Sequence, residues 1–281
     1  MVAAWTRMPP ASQFWAHSCC SIKKLEAALE DPNVTAIEAD ILMGKVDGGG
    51  DEDPVPIMAH PPKRSSDLSF EEFLTRCIRD RRRHLKLDFK ELLALELCLP
   101  VVAKWRQALA DNKQAVWVNA DVVPGPGRRR QPCAMPAEAV LAAVKASCPG
   151  VHLSLGWTTR VESGQAYSKE DCDAMAAVCT PENTCGGGVV FAAAIRAAES
   201  RGVNPLADLV HSVPGSQLLL WTGTGEPPID RRSYQKLLGD LAIRGIGGRV
   251  GLDCQVTNSG LVVIYATIYM WLMWLKWLLG L

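Results

Sequence analysis

The chain has ten cysteines and no Cys-x-x-Cys pair, which excludes zinc-ribbon and thioredoxin-type redox sites; the closest spacing is the adjacent Cys19 and Cys20. Most of these thiols are expected to pack as small apolar groups. Net charge is also lacking. Thirty basic residues balance 30 acidic ones and no nucleic-acid motif is present, so no nucleic-acid partner is expected. The first ten residues contain no apolar run of signal-peptide length. The acidic loop from Asp47 to Asp53 lacks the glutamate an EF-hand places twelfth, where Met58 stands, and reads as a solvated turn.

Apolar residues are plentiful. At 48% of 281 residues they suffice for one core of barrel size, about 250 residues. One apolar run stands apart, because Leu261 to Leu275 carries no charge and the run resumes after Lys276. As a helix, residues 261–281 reach about 31 Å, the thickness of a hydrocarbon core. Lys276 lies five residues from the end and can snorkel, and Tyr265, Tyr269, Trp271, Trp274 and Trp277 suit an interface. The expectation is a globular region over 12–255 and a C-terminal membrane-anchor helix over 261–281. A buried terminal helix and a cleaved lipid-anchor signal are the alternatives. A tail anchor with no leader predicts a barrel facing the cytosol, whereas ten cysteines, with Cys172, Cys179 and Cys185 close in sequence, keep the lumenal side open.

Between these ends, strand and helix patterns alternate. Strands are expected at 13–17, 34–43, 84–90, 115–121, 151–156, 187–192, 217–222 and 249–254. Helical stretches fall near 92–110, 136–147, 169–179, 204–213 and 230–243, with two earlier ones capped by Ser21 and by Ser69 with Glu72. Eight such repeats predict an α/β fold, a closed parallel (β/α)8 TIM-type barrel. A short strand over 56–60, with no helix before it, predicts a β-hairpin insertion after strand 2. A doubly wound open sheet is the runner-up. It gives no reason for polar groups at the ends of so many strands.

In a barrel of this type the active site collects at the C-terminal strand ends, where His17, Asp40, Asp88, Lys90, Asn119, Asp121, Trp157 and Trp221 stand. Strand alternation puts Glu38 and Asp40 on one face, and Asp88 and Lys90 on one face. Carboxylates from two strands can converge on a hard divalent cation, and His60 on the short strand can serve as acid or base. Arg81 to Arg83 and Arg128 to Arg130 read as solvated charge runs. His84, His152 and His211 read as structural.

Taken together, the segments Ile37–Asp40, Ile57–Pro62, Leu85–Lys90, Trp117–Pro126, Leu153–Thr159 and Leu220–Gly223 resemble the menorin family in content and order, over about residues 12 to 255. That family is similar to the phospholipase C-like phosphodiesterase barrels, which include glycerophosphodiester phosphodiesterases and sphingomyelinase D-type enzymes. The resemblance implies that Glu38, Asp40 and Asp88 hold Mg²⁺ or Ca²⁺, that His17 and His60 act as acid and base, and that Lys90 neutralises phosphoryl oxygens. Asn119, Asp121, Trp157 and Trp221 are the expected substrate contacts. The chain departs from its relatives at His17-Ser18-Cys19-Cys20, where they carry His-Ala-x-Asn. The expected activity is phosphodiester cleavage in a phospholipid or related headgroup substrate; the alternative is a non-catalytic barrel that binds a ligand or partner.

Overall fold

The computed structural model describes residues 4–7, 13–49, 53–160, 164–198, 203–223, 226–254 and 256–257. The first third of the chain forms β1 (Trp15–Ala16), α1 (Ile22–Glu30), β2 (Ala36–Val46), β3 (Val55–Met58), β4 (Ser65–Ser66), α2 (Phe70–Asp80) and β5 (His84–Phe89). The middle adds α3 (Leu92–Lys104), α4 (Arg106–Asp111), β6 (Val116–Pro124), α5 (Ala137–Ser147), β7 (His152–Thr158), α6 (Lys169–Val178) and α7 (Pro181–Thr184). There follow β8 (Val189–Ala194), α8 (Ile195–Ala198), α9 (Val203–Ser212), β9 (Gln217–Trp221), β10 (Ile229–Asp230), α10 (Arg231–Ile243), β11 (Val250–Asp253) and β12 (Val256–Thr257).

Eight of these strands pair in parallel in the order β1-β2-β5-β6-β7-β8-β9-β11, giving a nearly closed barrel. β3 runs antiparallel to the second half of β2, with Ile41 opposite Met58. β10 and β12 form a separate two-stranded parallel ribbon. The barrel strands are buried on both faces, so they read as apolar runs broken only where a polar residue faces inward.

Side-chain alternation divides each strand between two environments. Ile37, Ala39, Ile41, Leu85, Leu87, Phe89, Leu153 and Leu155 face the helices and join one large apolar cluster with Phe70, Phe73, Leu74, Leu95, Leu99, Leu206 and Val210. The opposite phase faces the barrel axis. There Ala36, Ala115, Trp117, Val190 and Leu219 form a second cluster with Trp15 packed on it, the Trp15 and Trp117 rings lying 5.4 Å apart. This plug floors the barrel. Above it the same phase carries polar groups toward the C-terminal ends.

Helix ends follow their capping residues. Ser21 Oγ accepts from Lys24 N, and Ser69 Oγ from Glu72 N. Glu72 does not return to the Ser69 amide as a full capping box would; its carboxylate binds Arg76. The reciprocal box occurs instead at Ser168 and Asp171. The helical stretch expected over 92–110 is two helices, broken at Trp105. The first arginine run departs from expectation, and the second is exposed as expected yet anchored through Arg129. Arg83 is buried and donates to Val34 O, Asp31 O and Asp80, and Arg129 makes two bonds to the buried carboxylate of Asp171. The apolar stretch 261–281 lies outside the described residues, and among those no helix is long and apolar enough to cross a membrane.

Candidate active site

At the C-terminal ends of the barrel strands a cavity of about 190 Å³ is lined by His17, Glu38, Asp40, His60, Lys86, Asp88, Lys90, Asn119, Asp121, Thr158, Thr159, Ala192, Trp221 and Gly223. Strand register explains the grouping. Asp40 of β2 sits opposite Asp88 of β5, Asp88 opposite Asn119 of β6, and Asn119 opposite Ser154 of β7, so same-phase side chains form a layer. Nine of the ten residues expected at the site line this cavity; Trp157 does not.

His17 follows β1. Its Nδ1 lies 3.0 Å from Asp253 Oδ2 and 3.4 Å from Glu38 Oε2. Burial opposes the imidazolium, but the charges of Glu38 and Asp253 and the bond to Asp253 outweigh it and raise His17 to about 9. The Ser18 amide also donates to Glu38 Oε2, at 2.7 Å. Burial pushes Glu38 above the ordinary carboxylate range, against the pull of His17 and Lys86.

Lys90 lies between two carboxylates, its Nζ 2.9 Å from both Asp40 Oδ1 and Asp88 Oδ2. Lys86, one turn of the pleat deeper, is buried with Nζ 3.9 Å from Asp253 Oδ2. Burial disfavours both ammonium groups; the surrounding carboxylates outweigh it and hold both pKa values above the ordinary lysine range. Asp121 sits at a register shift in β6, which re-aims the strand end. Gly156 makes room for it, since a Cβ there would lie 2.1 Å from Asp121 Oδ1. Asn119 accepts from Ser154 Oγ at 2.6 Å. His60 is exposed, with Nδ1 2.6 Å from Pro61 O.

Cys20 stands where relatives carry asparagine. Its Sγ contacts Asp40 Oδ2 at 3.5 Å and accepts from Asp40 N at 3.4 Å, and burial raises the thiol. It is a half-buried neighbour of the acid cluster.

Trp157 is corrected from substrate contact to core. Its strand position is out of phase with the inward residues Ser154, Gly156 and Thr158. Its ring is buried against Tyr167 and Phe191, and its indole N–H donates to Asp171 O. Two further charged residues, Lys86 and Asp253, face the site without an expected role. Lys86 was legible as in phase with Asp88 and Lys90, whereas Asp253 is a lone acid at the end of a four-residue strand.

One oxygen from each of Glu38, Asp40 and Asp88 can be chosen so that all three lie within 4.8 Å of one another, and His17, Glu38 and Asp253 form a second such group. Oxygen donors from two strands suit a hard divalent cation. Burial also lifts Asp121 to about 7, against the pull of Lys90, so the acid cluster, like Glu38 within it, would gain from an added positive charge.

Residues 12–244 match the family model of the menorin N-terminal domain. Protein FAM151B of Homo sapiens is 32% identical over 218 residues, 75% of this chain and 73% of that protein. A solved glycerophosphodiester phosphodiesterase from Parabacteroides distasonis ATCC 8503 is 13% identical with a TM-score of 0.44, covering 89% of this chain and 92% of that one. A likeness at that level assigns no chemistry here. The family match and the human relative agree, and on both grounds the chain belongs to the menorin family.

Proposed function

We propose that the barrel is a divalent-metal-dependent phosphodiesterase acting on a phospholipid or related phosphodiester. The observation that carries this reading is the convergence of two histidines, three carboxylates and a lysine from β1, β2, β5 and the end of β3 on one cavity. Glu38, Asp40 and Asp88 would hold the metal, for which Mg²⁺ and Ca²⁺ are the candidates. When bound, such an ion supplies Lewis-acid charge at phosphoryl oxygens.

The two histidines differ in a way that suits opposite roles. A carbonyl oxygen only accepts, so the His60 Nδ1 beside Pro61 O carries the proton, and in the neutral ring Nε2 is left as an acceptor. His60 is therefore the base toward an attacking hydroxyl or water. His17 is held as imidazolium by Asp253 and Glu38 at Nδ1, so its Nε2 proton is available to the leaving oxygen. Lys90 offsets charge that develops on phosphorus-bound oxygens. Asn119, Asp121 and Trp221 are the substrate contacts.

A second reading, a barrel that binds without turnover, is favoured by Lys90, whose ammonium already meets two of the three carboxylates a metal would use. The test is turnover of glycerophosphodiesters, lysophospholipids and sphingomyelin by the full chain with Mg²⁺, Ca²⁺ or chelator. Metal-dependent turnover that falls by about 10²–10⁴ in His17→Ala and His60→Ala supports the enzyme. Folded, metal-loaded protein without turnover supports the binding barrel.

The apolar stretch 261–281 is proposed as a membrane anchor that brings the barrel to lipid. Release of the protein from membranes by alkaline carbonate would refute it.

A further inference from the structure

On the outside of the barrel, α3 has no polar face. Its 13 residues, from Leu92 to Lys104, include two charged side chains, Glu96 and Lys104. Ala94, Leu95, Cys98, Leu99 and Val102 are buried, as a barrel helix requires on its inner side. The outer side is apolar as well, with Leu93 54% and Leu97 47% exposed and Pro100 exposed one turn on. The helices before it show the contrast. There Lys23, Glu26 and Glu30 of α1, and Glu71 and Arg79 of α2, meet solvent. A helix apolar all round is ordinarily covered on every side, and an exposed apolar stripe bounded by charge marks a contact surface.

The two charges indicate what the contact is. Glu96 and Lys104 are separated by two turns, about 12 Å along the axis, too far to pair within one helix. Neither makes an ion pair among the described residues. They stand on either side of Pro100 at equal distance in sequence, so the stripe is self-complementary about that residue. Laid antiparallel on a copy of itself, the helix brings Glu96 of each copy beside Lys104 of the other and sets Leu97 opposite the smaller Ala103. A second copy of the chain thus meets opposite charge at both ends of the stripe and apolar surface between. A lipid surface would also cover Leu93 and Leu97, but it would take Glu96 out of water with nothing to balance it.

We propose that α3 is the contact helix of a homodimer, packed antiparallel on its copy about a two-fold axis at Pro100, with Glu96 of each copy paired to Lys104 of the other. None of these residues lines the candidate active site, so the proposal is independent of the phosphodiesterase reading. A patch one helix wide falls short of the ~800 Å² per partner of a standard interface, and the dimer is therefore expected to be weak, with a Kd of about 1–100 µM.

The experiment is sedimentation equilibrium of the full chain in mild detergent, with micelles in excess so that chance sharing of a micelle is not counted as pairing. The unmodified chain should dimerise in the micromolar range, and Leu97→Asp should leave it monomeric. Glu96→Lys and Lys104→Glu each set like charges together at both ends of the contact and should raise Kd by about tenfold or more. The double variant, which exchanges the two charges, should return to within about threefold of the unmodified Kd. Thermal unfolding at a dilution that leaves every form monomeric checks that the variants fold. A chain still monomeric at several hundred micromolar, a dimer indifferent to Leu97→Asp, or a double variant as weak as the single ones would overturn the proposal. So would a monomer whose partition into phosphatidylcholine vesicles falls with Leu97→Asp, which would make the same face a lipid contact.

Discussion

His152 and His17 meet opposite fates inside one barrel. His17 is held charged by two carboxylates, whereas His152 is buried with no acid near it, and burial, helped by the charge of Arg7, lowers it from 6.5 to about 4. The unfolded chain therefore binds a proton between pH 6.5 and 4 that the folded chain refuses. The contribution of His152 is complete above about pH 6.5 and is lost as pH falls toward 4, by about 3 kcal/mol in all. Urea titrations across that range should show a steeper acid-side loss for the unmodified chain than for His152→Gln. Gly156 sets a second residue-scale constraint. Gly156→Ala puts a methyl 2.1 Å from Asp121 Oδ1, so the carboxylate must move, and about 1–3 kcal/mol of stability should be lost. If the clash is the cause, adding Asp121→Ala should restore much of that loss in a double-mutant cycle. Additive losses would refute it.

At the scale of single elements, α6 depends on a residue 42 positions earlier. Asp171 accepts from the Ser168 amide at its own helix start and from both Arg129 Nε and Nη2 at 2.7 Å. Arg129→Ala takes the solvent-facing counter-ion from this buried carboxylate and should cost about 1–3 kcal/mol, while Arg130→Ala, also exposed and with no such partner among the described residues, should cost less than about 0.5 kcal/mol. Equal losses in thermal or chemical unfolding would show that Arg129 is not a structural tie. The same pair marks where the sequence stops being readable. Strand alternation is local and periodic, so the eight barrel strands and the in-phase set Glu38, Asp40, Asp88 and Lys90 could be read directly. Whether an arginine in a run of three is free in solvent or tied down depends on the groups that folding brings to it, as Asp171 is brought to the exposed Arg129. Arg83, held by Asp80 and by carbonyls of Val34 and Asp31, goes further and is buried. Trp157 shows that strand phase outranks residue type: odd against Ser154, Gly156 and Thr158, it points toward the helices although a tryptophan at a strand end suits a pocket wall. Asp253 gave no comparable signal.

For the molecule as a whole, the barrel has a seam. The hydrogen-bonded strand order runs from β1 to β11 without those two strands pairing, and His17 and Asp253, at their C-terminal ends, meet across the gap at 3.0 Å. The His17–Asp253 contact thus joins the two edges of the sheet where the candidate chemistry lies. Asp253→Asn should weaken that clasp, and amide hydrogen exchange should quicken in β1 and β11 while β5 to β8 keep their protection. Uniform change across all strands would instead indicate a global loss of stability. The clasp also bears on how the protein is made. His17 and Asp253 are separated by 236 positions, so the first strand leaves the ribosome long before its partner is synthesised. A nascent or truncated chain that ends before β11 holds most of the acid cluster but leaves its histidine without the Asp253 partner, and so the site can be completed only after nearly all of the barrel has been translated.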